Sequence, residues 1–222
     1  MKTIFGGTET KIVHYVEEIF RPEDPILREA RERSEKKGIP LIQIGKMDGL
    51  HLEILTRDSG AKKAVEIGTL GGYSGICIAR GIGPEGKLYT FELEPSHAEV
   101  ARENFQKAGV SDKIEILVGP ALENLNKITH HGPFDLVFID ADKVNYPAYL
   151  QWAADHLRVG GMVLGDNTFA WGMIAEDKFE TLDDEKTVKA LRDFNLTVAQ
   201  KGRFRATILP TGEGLTLGVK IK

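Results

Sequence analysis

The sequence predicts an α/β protein in which a mostly parallel β-sheet is covered by helices on both faces. Downstream of residue 60, five short apolar segments have the composition of strands, and stretches with helical spacing follow the first four. Strands that alternate with helices form right-handed βαβ units and a parallel sheet with two covered faces. Two strand-like segments near the C-terminus, joined by the turn-forming TGEG, predict an added antiparallel hairpin.

The first sixty residues are predicted to be helical. Apolar residues at helical spacing, ended by proline or glycine, predict helices over residues 8–20, 25–37 and 46–59. Gly38 and Gly60 stand at the expected C-terminal positions of the second and third helices. We expect residues 1–60 to form an N-terminal helical addition, a lid or a dimerisation element, to a single domain of residues 1–222.

The alternating part of the chain begins with the strand AVEIG, the glycine-rich turn TLGG and a helix from about Tyr73. The strands expected next are, in order, KLYTFEL, KIEILVG, FDLVFID and MVLGDN. A helix over residues 184–194 is expected before the hairpin strands RFRATILP and LTLGVKIK. Because no internal repeat or low-complexity tract divides the chain, one domain is expected.

Composition restricts the function. A formal net charge of −4, with 28% charged residues, gives no basic surface for a nucleic-acid backbone or an anionic membrane. Charged residues such as Glu17 and Glu18 interrupt the N-terminal segment, and no apolar stretch has membrane-spanning length, so a cytoplasmic protein is expected. The single Cys77, in the apolar segment GICIA, is interpreted as a small buried hydrophobe.

The segment EIGTLGGYS, residues 66–74, is a candidate nucleotide-binding loop, because a strand delivers glycines to the N-terminus of the next helix. A simple tight turn is the alternative. The dinucleotide fingerprint fails, since Gly68 is followed by Thr69 and Leu70. Glu92 ends the second strand, 24 residues after Gly68, and its carboxylate is either a solvated charge or an acceptor for both ribose hydroxyls. A ribose without a pyrophosphate is typical of S-adenosylmethionine.

Polar side chains also end the fourth and fifth strands, at the edge where open α/β sheets bind ligands. Asp140 follows one strand, and Asp166 and Asn167 follow the next. Three oxygen ligands without nearby histidine or cysteine suit a hard cation such as Mg²⁺ and do not suit zinc. Capping of the following turns is the alternative interpretation. Lys143, three residues after Asp140, adds a candidate general base beside the cation.

These segments together resemble the cation-dependent O-methyltransferases, the caffeoyl-coenzyme A and catechol O-methyltransferase group. The similar stretches are GKMDG, VEIGTLGGYSG, FELEP, GPALENL, FIDADKVNY, VGGMVLGDNTFAWG and GLTLGVKIK. The resemblance covers nearly the whole chain and is clearest over residues 46–222. It implies a Rossmann-like class I methyltransferase fold, with a seven-stranded, mostly parallel sheet whose last strand is antiparallel, in a homodimer.

The resemblance also implies a role for each candidate residue. S-adenosylmethionine would be bordered by Met47 and Gly49, cradled by Glu66, Gly68, Thr69, Tyr73 and Ser74, held at its ribose by Glu92 and contacted at its adenine by Ala121. The metal ligands would be Asp140, Asp166 and Asn167, with Asp140 also close to the cofactor's amino group and Lys143 as catalytic base. Mg²⁺ is the expected cation, with Mn²⁺ or Ca²⁺ as alternatives.

Two departures indicate the branch of the family. Asp142 stands where the animal catechol enzymes have a tryptophan, which favours the caffeoyl-coenzyme A and bacterial branch, and Val144 replaces an aspartate common in plants. In the segment 168–180, which has no assigned role, Phe169 and Trp171 could wall an aromatic acceptor or pack against a neighbouring subunit.

The predicted reaction is methyl transfer to one hydroxyl of a small vicinal diol of catechol or caffeoyl type, with no nucleic-acid or membrane partner. One alternative is a nucleic-acid methyltransferase of the same fold, which the acidic balance disfavours. Another is a non-catalytic ligand-binding module of that fold. The presence of Asp140, Lys143, Asp166 and Asn167 favours the enzyme.

Overall fold

The computed structural model describes residues 10–222, which contain eight α-helices and seven strands. The helices are α1 (Thr10–Phe20), α2 (Pro25–Lys36), α3 (Lys46–Asp58), α4 (Tyr73–Gly81), α5 (Pro95–Lys107), α6 (Ala121–Ile128), α7 (Tyr146–His156) and α8 (Leu182–Gln200). The strands are β1 (Lys63–Ile67), β2 (Lys87–Glu92), β3 (Ile114–Val118), β4 (Phe134–Ile139), β5 (Leu157–Gly165), β6 (Phe204–Leu209) and β7 (Leu215–Lys220). Residues 8 and 9 of the first predicted helix lie outside the described residues.

All seven strands form one sheet in the order β3-β2-β1-β4-β5-β7-β6. Strands β1 to β5 pair in parallel, whereas β7 is antiparallel to both β5 and β6. This topology confirms the predicted seven-stranded, mostly parallel sheet with an antiparallel last strand. It also brings the carboxyl ends of β1, β2, β4 and β5 to the same edge of the sheet.

Helices cover both faces of the sheet, as predicted. On one face, Val65 and Phe91 belong to a buried cluster that includes side chains from α6, α7 and α8. On the other face, Ala64 and Leu88 belong to a second cluster with side chains from α2, α3, α4 and α5. Because neighbouring residues of one strand point to opposite faces, β1 contributes to both clusters and is buried from Ala64 to Ile67.

The N-terminal helices α1, α2 and α3 differ in how they pack against the rest of the protein. Leu27 of α2 and Leu52 of α3 are buried in the second cluster. In α1, by contrast, the apolar residues Ile12, Ile19 and Phe20 remain exposed. No helix in the described part of the chain is long and apolar enough to cross a membrane.

Two elements are longer than predicted. Helix α8 begins at Leu182 because Thr181 and Asp184 form a capping box, in which each side chain accepts a hydrogen bond from the other residue's backbone N–H. Its C-terminal turns include Val198, which is buried against the sheet. Strand β5 begins at Leu157 and crosses the two glycines of its sequence LRVGGMVLG, where its pairing with β4 shifts register.

Candidate active site

A cavity of about 700 Å³ lies at the carboxyl edge of the sheet. Its walls include the β1–α4 loop, the end of β2, the start of α6, the turn after β4 and the segment between α2 and α3. This volume is within the range of small-molecule and cofactor sites. The cavity is therefore the candidate active site.

The glycine-rich loop after β1 approaches the end of β4 very closely. Gly68 has a φ of +103°, and a side chain there would place its Cβ 2.0 Å from the Asp140 carbonyl oxygen. Only glycine combines this backbone conformation with this contact. The Asp140 backbone N–H in turn donates to Ile67 O at 2.8 Å. The loop and Asp140 are consequently held side by side in the cavity wall.

Glu92, at the end of β2, fixes the other side of the loop. Its carboxylate accepts hydrogen bonds from the backbone N–H of Leu70 at 2.6 Å and of Glu94 at 3.0 Å. The ring of His97 lies near, with Nδ1 3.5 Å from Glu92 Oε1. Glu92 also lines the cavity. Because a carboxylate has about four acceptor positions, it retains capacity for hydroxyl groups of a ligand.

Glu66 lies behind the loop and is fully buried. Its Oε2 accepts a hydrogen bond from Thr90 Oγ1 at 2.6 Å, and Thr90 Oγ1 is 2.5 Å from Thr69 Oγ1. Thr69 lines the cavity, so a chain of hydroxyls links the cavity wall to the buried carboxyl group. Burial, with a smaller contribution from the negative charges of Asp140 and Glu92, raises the pKa of Glu66 to about 8.

Asp140 and Lys143 form an ion pair beside the cavity. A 3₁₀ turn over Lys143–Asn145 places the lysine one turn after the end of β4, and Lys143 Nζ donates to Asp140 Oδ1 at 2.9 Å. The same Nζ donates to the hydroxyl oxygen of Tyr146 at 2.7 Å. Tyr146 is completely buried, and burial raises the pKa of its phenol, so the hydroxyl keeps its proton.

Asp166 and Asn167 lie next to this pair, directly after β5. Burial and the negative charges of Asp140 and Asp48 raise the pKa of the Asp166 carboxyl well above its usual range. Asp166 Oδ1 is buried without a hydrogen-bond partner in the described residues. The amide Nδ2 of Asn167 donates to Glu213, which leaves the amide oxygen as its potential ligand atom.

The structure brings together most of the predicted site residues. Those that line the cavity are Gly68, Thr69, Tyr73, Ser74, Glu92, Ala121, Asp140, Lys143, Asn167 and Trp171. Glu66 and Asp166 lie directly behind members of this wall. Sequence reasoning could place these residues because parallel strands end at a common edge.

Three predicted residues lie elsewhere. Met47 is buried in the first turn of α3, and Gly49 packs against Cys77 and the ring of Tyr73. The ring of Phe169 lies against Gly214, in the turn between β6 and β7. None of the three lines the cavity. Trp171 does line it, in a segment where Asn167, Ala170 and Trp171 all have positive φ.

Sequence reasoning missed part of the wall. Ile42, Gln43 and Ile44, from the connection between α2 and α3, line the cavity in the region where Met47 was expected. Arg31 of α2 and Tyr149 of α7 line it as well. The connection IPLIQI is apolar, but nothing in its sequence indicates that it reaches the cavity, where Ile42 is 63% exposed.

Comparison with known proteins supplies independent evidence. The family described as O-methyltransferase matches residues 17–221. Catechol O-methyltransferase of Mycobacterium tuberculosis is 42% identical over 190 residues, which cover 86% of this chain and 84% of the relative. Caffeoyl-CoA O-methyltransferase of Petroselinum crispum is 32% identical over 207 residues, covering 90% of this chain and 85% of that protein.

A solved structure gives the same result for the fold. The O-methyltransferase from Bacillus cereus in complex with SAH (S-adenosylhomocysteine) superposes with a TM-score of 0.86 at 34% identity. The match covers 95% of this chain and 98% of the Bacillus chain. The fold is therefore the class I methyltransferase fold, and the resemblance predicted from the sequence motifs is confirmed. The chain belongs to the O-methyltransferase family.

Proposed function

We propose that this protein transfers the methyl group of S-adenosylmethionine to one hydroxyl of a small catechol-type acceptor, with the help of a divalent cation. The observation that carries the proposal is that one cavity joins the glycine loop and Glu92 to the polar cluster of Asp140, Lys143 and Asn167. The first group suits a methyl donor that contains a ribose, and the second suits ionisation of a hydroxyl group.

The methyl donor is assigned to the β1–β2 side of the cavity. The remaining acceptor capacity of Glu92 would serve the ribose hydroxyls, and Ala121, which lines the cavity at the start of α6, would contact the adenine. Asp140 would accept from the amino group of the methionine moiety. Thr69 and Ser74 provide hydroxyls on the same wall.

The oxygen atoms at the ends of β4 and β5 fit a hard divalent cation. Asp166 Oδ1 is buried without a hydrogen-bond partner among the described residues, in a region where Asp140 and Asp48 add negative charge and Lys143 opposes it. No three His, Cys, Asp or Glu side chains within residues 10–222 converge as a metal site, so the amide oxygen of Asn167 is needed to complete the set. Asp140, Asp166 and Asn167 would hold the ion, with Mg²⁺ favoured over Mn²⁺ or Ca²⁺.

A cation held by Asp140, Asp166 and Asn167 would supply Lewis acidity, which would favour the ionised form of a phenol and an acceptor with two adjacent hydroxyls. Lys143 would accept the hydroxyl proton at Nζ. The oxygen then attacks the methyl carbon, the carbon–sulfur bond breaks, and the products are a methyl ether and S-adenosylhomocysteine. The protein must hold the oxygen in line with the methyl group for this displacement.

The test compares two acceptors that differ by one hydroxyl, caffeic acid and coumaric acid, with S-adenosylmethionine and Mg²⁺. We expect the specificity constant for caffeic acid to be higher by about a hundredfold or more, because a monophenol cannot be oriented through two oxygens. Calorimetric titration with S-adenosylhomocysteine provides the control for donor binding. Exhaustive chelation should remove turnover and leave this binding intact.

Three outcomes contradict separate parts of the proposal. Equal specificity constants for the two acceptors would refute orientation of a vicinal diol. Full activity after chelation, checked by metal analysis, would remove the cation from the mechanism. No binding of S-adenosylhomocysteine, together with tight binding of NAD, would refute the assignment of the methyl donor.

We also propose that the chain forms a homodimer that covers α1. Four large apolar side chains of this helix remain between 45% and 61% exposed, namely Ile12, Tyr15, Ile19 and Phe20. Such a patch on a surface helix is typical of a contact between proteins. The family resemblance favours a second copy of the chain as the partner.

A further inference from the structure

Tyr146 is a buried tyrosine that the proposed mechanism does not yet use. It is the first residue of α7, and its ring packs edge-on against Phe194 with the ring centres 5.3 Å apart. Its hydroxyl lies 3.0 Å from Ile139 O and 2.9 Å from Asp166 O. The hydroxyl therefore bridges the carboxyl ends of β4 and β5, between the two strands that deliver Asp140 and Asp166.

The same hydroxyl oxygen is an anchor for Lys143. A phenol has one proton to donate, which goes to one of the two carbonyl oxygens, and its oxygen accepts from Lys143 Nζ at 2.7 Å. The second anchor is Asp140 Oδ1, at 2.9 Å from Nζ. The lysine side chain is only 10% exposed, so few other positions are open to it.

These two contacts determine what Lys143 can present to the cavity. Lys143 Nζ donates to both Asp140 and Tyr146, and these two hydrogen bonds hold it at one position in the wall of the cavity. A group that exchanges a proton with a bound hydroxyl must be held at such a defined position. Without the tyrosine hydroxyl, Nζ keeps only its contact with Asp140 and its position is less restricted.

We propose that Tyr146 is a positioning residue for methyl transfer, whose hydroxyl aims the Nζ of Lys143 at the acceptor oxygen. The inference rests on the proposed function, in which Lys143 is the base. The 3₁₀ turn Lys143–Asn145 directly precedes α7, and this places the side chain of Lys143 next to Tyr146, the first residue of that helix.

The test is the Tyr146→Phe variant of the full chain, assayed with S-adenosylmethionine, Mg²⁺ and caffeic acid. The substitution keeps the ring and removes only the hydroxyl. We expect kcat to fall about ten- to a hundredfold, because misplacement of a reacting group can cost this much. The KM values for both substrates should stay within about a factor of two, since an interaction used only in the reaction step changes kcat.

A double-variant comparison separates positioning from a structural role. If Tyr146 acts through Lys143, adding Tyr146→Phe to Lys143→Met should cause no further loss beyond that of Lys143→Met alone. An equal fold-loss in both backgrounds would overturn the inference. Phe194→Leu is the control, because it disturbs the packing of the same ring, lowers Tm and should leave kcat within about a factor of two.

Failure of the inference can be distinguished from failure of the proposed function. If Lys143→Met loses activity and Tyr146→Phe retains it, the base assignment stands and the positioning role is refuted. If Lys143→Met itself retains normal activity, the base assignment fails and the positioning role fails with it.

Discussion

Glu66 is a carboxyl group held in an environment that favours its protonated form. It is fully buried beneath the glycine loop, and its pKa is raised from an ordinary value of 4.5 to about 8. In the unfolded chain the group loses its proton above about pH 4.5, whereas the folded protein retains it up to about pH 8. The contribution of Glu66 to stability is therefore present below pH 4.5 and is lost as the pH rises to 8.

A Glu66→Gln variant should reveal this loss. Glutamine resembles the protonated carboxyl group and does not titrate. The free energy of unfolding of the variant, relative to that of wild type, should therefore increase between pH 5 and pH 8 by on the order of a few kcal/mol. Urea denaturation at several pH values measures the difference. Glu99→Gln, at an exposed position of α5, is the matched control and should show no such trend. Parallel curves for wild type and Glu66→Gln would contradict the prediction.

Helix α2 is attached to the glycine loop by one buried side chain of α5. Asn104 is 1% exposed, and its amide nitrogen lies 2.7 Å from Gly71 O and 3.1 Å from Ser34 Oγ of α2. Its amide oxygen accepts from Arg33. A loop that lines the cavity and a helix of the N-terminal addition thus depend on the same amide.

Replacing this amide should affect both elements. We expect Asn104→Ala to lower the free energy of unfolding by about 1–3 kcal/mol, because buried polar partners lose their hydrogen bonds. Affinity for S-adenosylhomocysteine should fall as well, since the loop loses its support at Gly71. Denaturation and calorimetric titration measure the two effects.

The neighbouring residue provides the control. Glu103 forms only partly exposed ion pairs, with Arg33 at 3.6 Å and Lys37 at 3.2 Å. Glu103→Ala should therefore change stability by less than about 1 kcal/mol and leave cofactor affinity unchanged. Similar effects of the two substitutions would show that Asn104 has no special role in connecting α2 to the loop.

The elements also show what could be predicted from the sequence. The strands were predictable because buried parallel strands are continuous apolar segments, and residues such as Glu92 and Asp140 follow from where those strands end. The wall segment around Ile42 was not predictable, because its position depends on how α2 and α3 pack. The start of α8 was not predictable to the residue. Thr181 caps the helix, but the acidic residues that follow it in the sequence are also of the type that can cap a helix.

At the scale of the whole molecule, one sheet separates and supports both buried clusters. Ala64 and Val65 are neighbours in β1 and belong to different clusters, so neither cluster can lose its packing without exposing the sheet. We therefore propose that the chain is a single domain, and a single cooperative transition in calorimetry is the expected result. Two separate transitions would contradict it.

The proposed dimer can be tested on α1. Ile19→Glu places a charge within the exposed apolar side of the helix and should shift the protein from dimer to monomer in light scattering after gel filtration. Leu182→Glu is the matched control, because Leu182 is 73% exposed at the start of α8 and lies outside α1. A wild-type protein that is already monomeric at assay concentration would refute the proposal.

The close contact between Gly68 and the Asp140 carbonyl has a consequence for how the enzyme can diversify. A side chain at position 68 would push the glycine-rich loop away from the end of β4, so the contact fixes the relative position of these two parts of the cavity wall. The segment after Asn167 contributes Trp171 to the same cavity, and under the proposed function it borders the acceptor. We therefore expect that substitutions in that segment can change acceptor preference while the glycine-rich loop and Asp140 stay aligned.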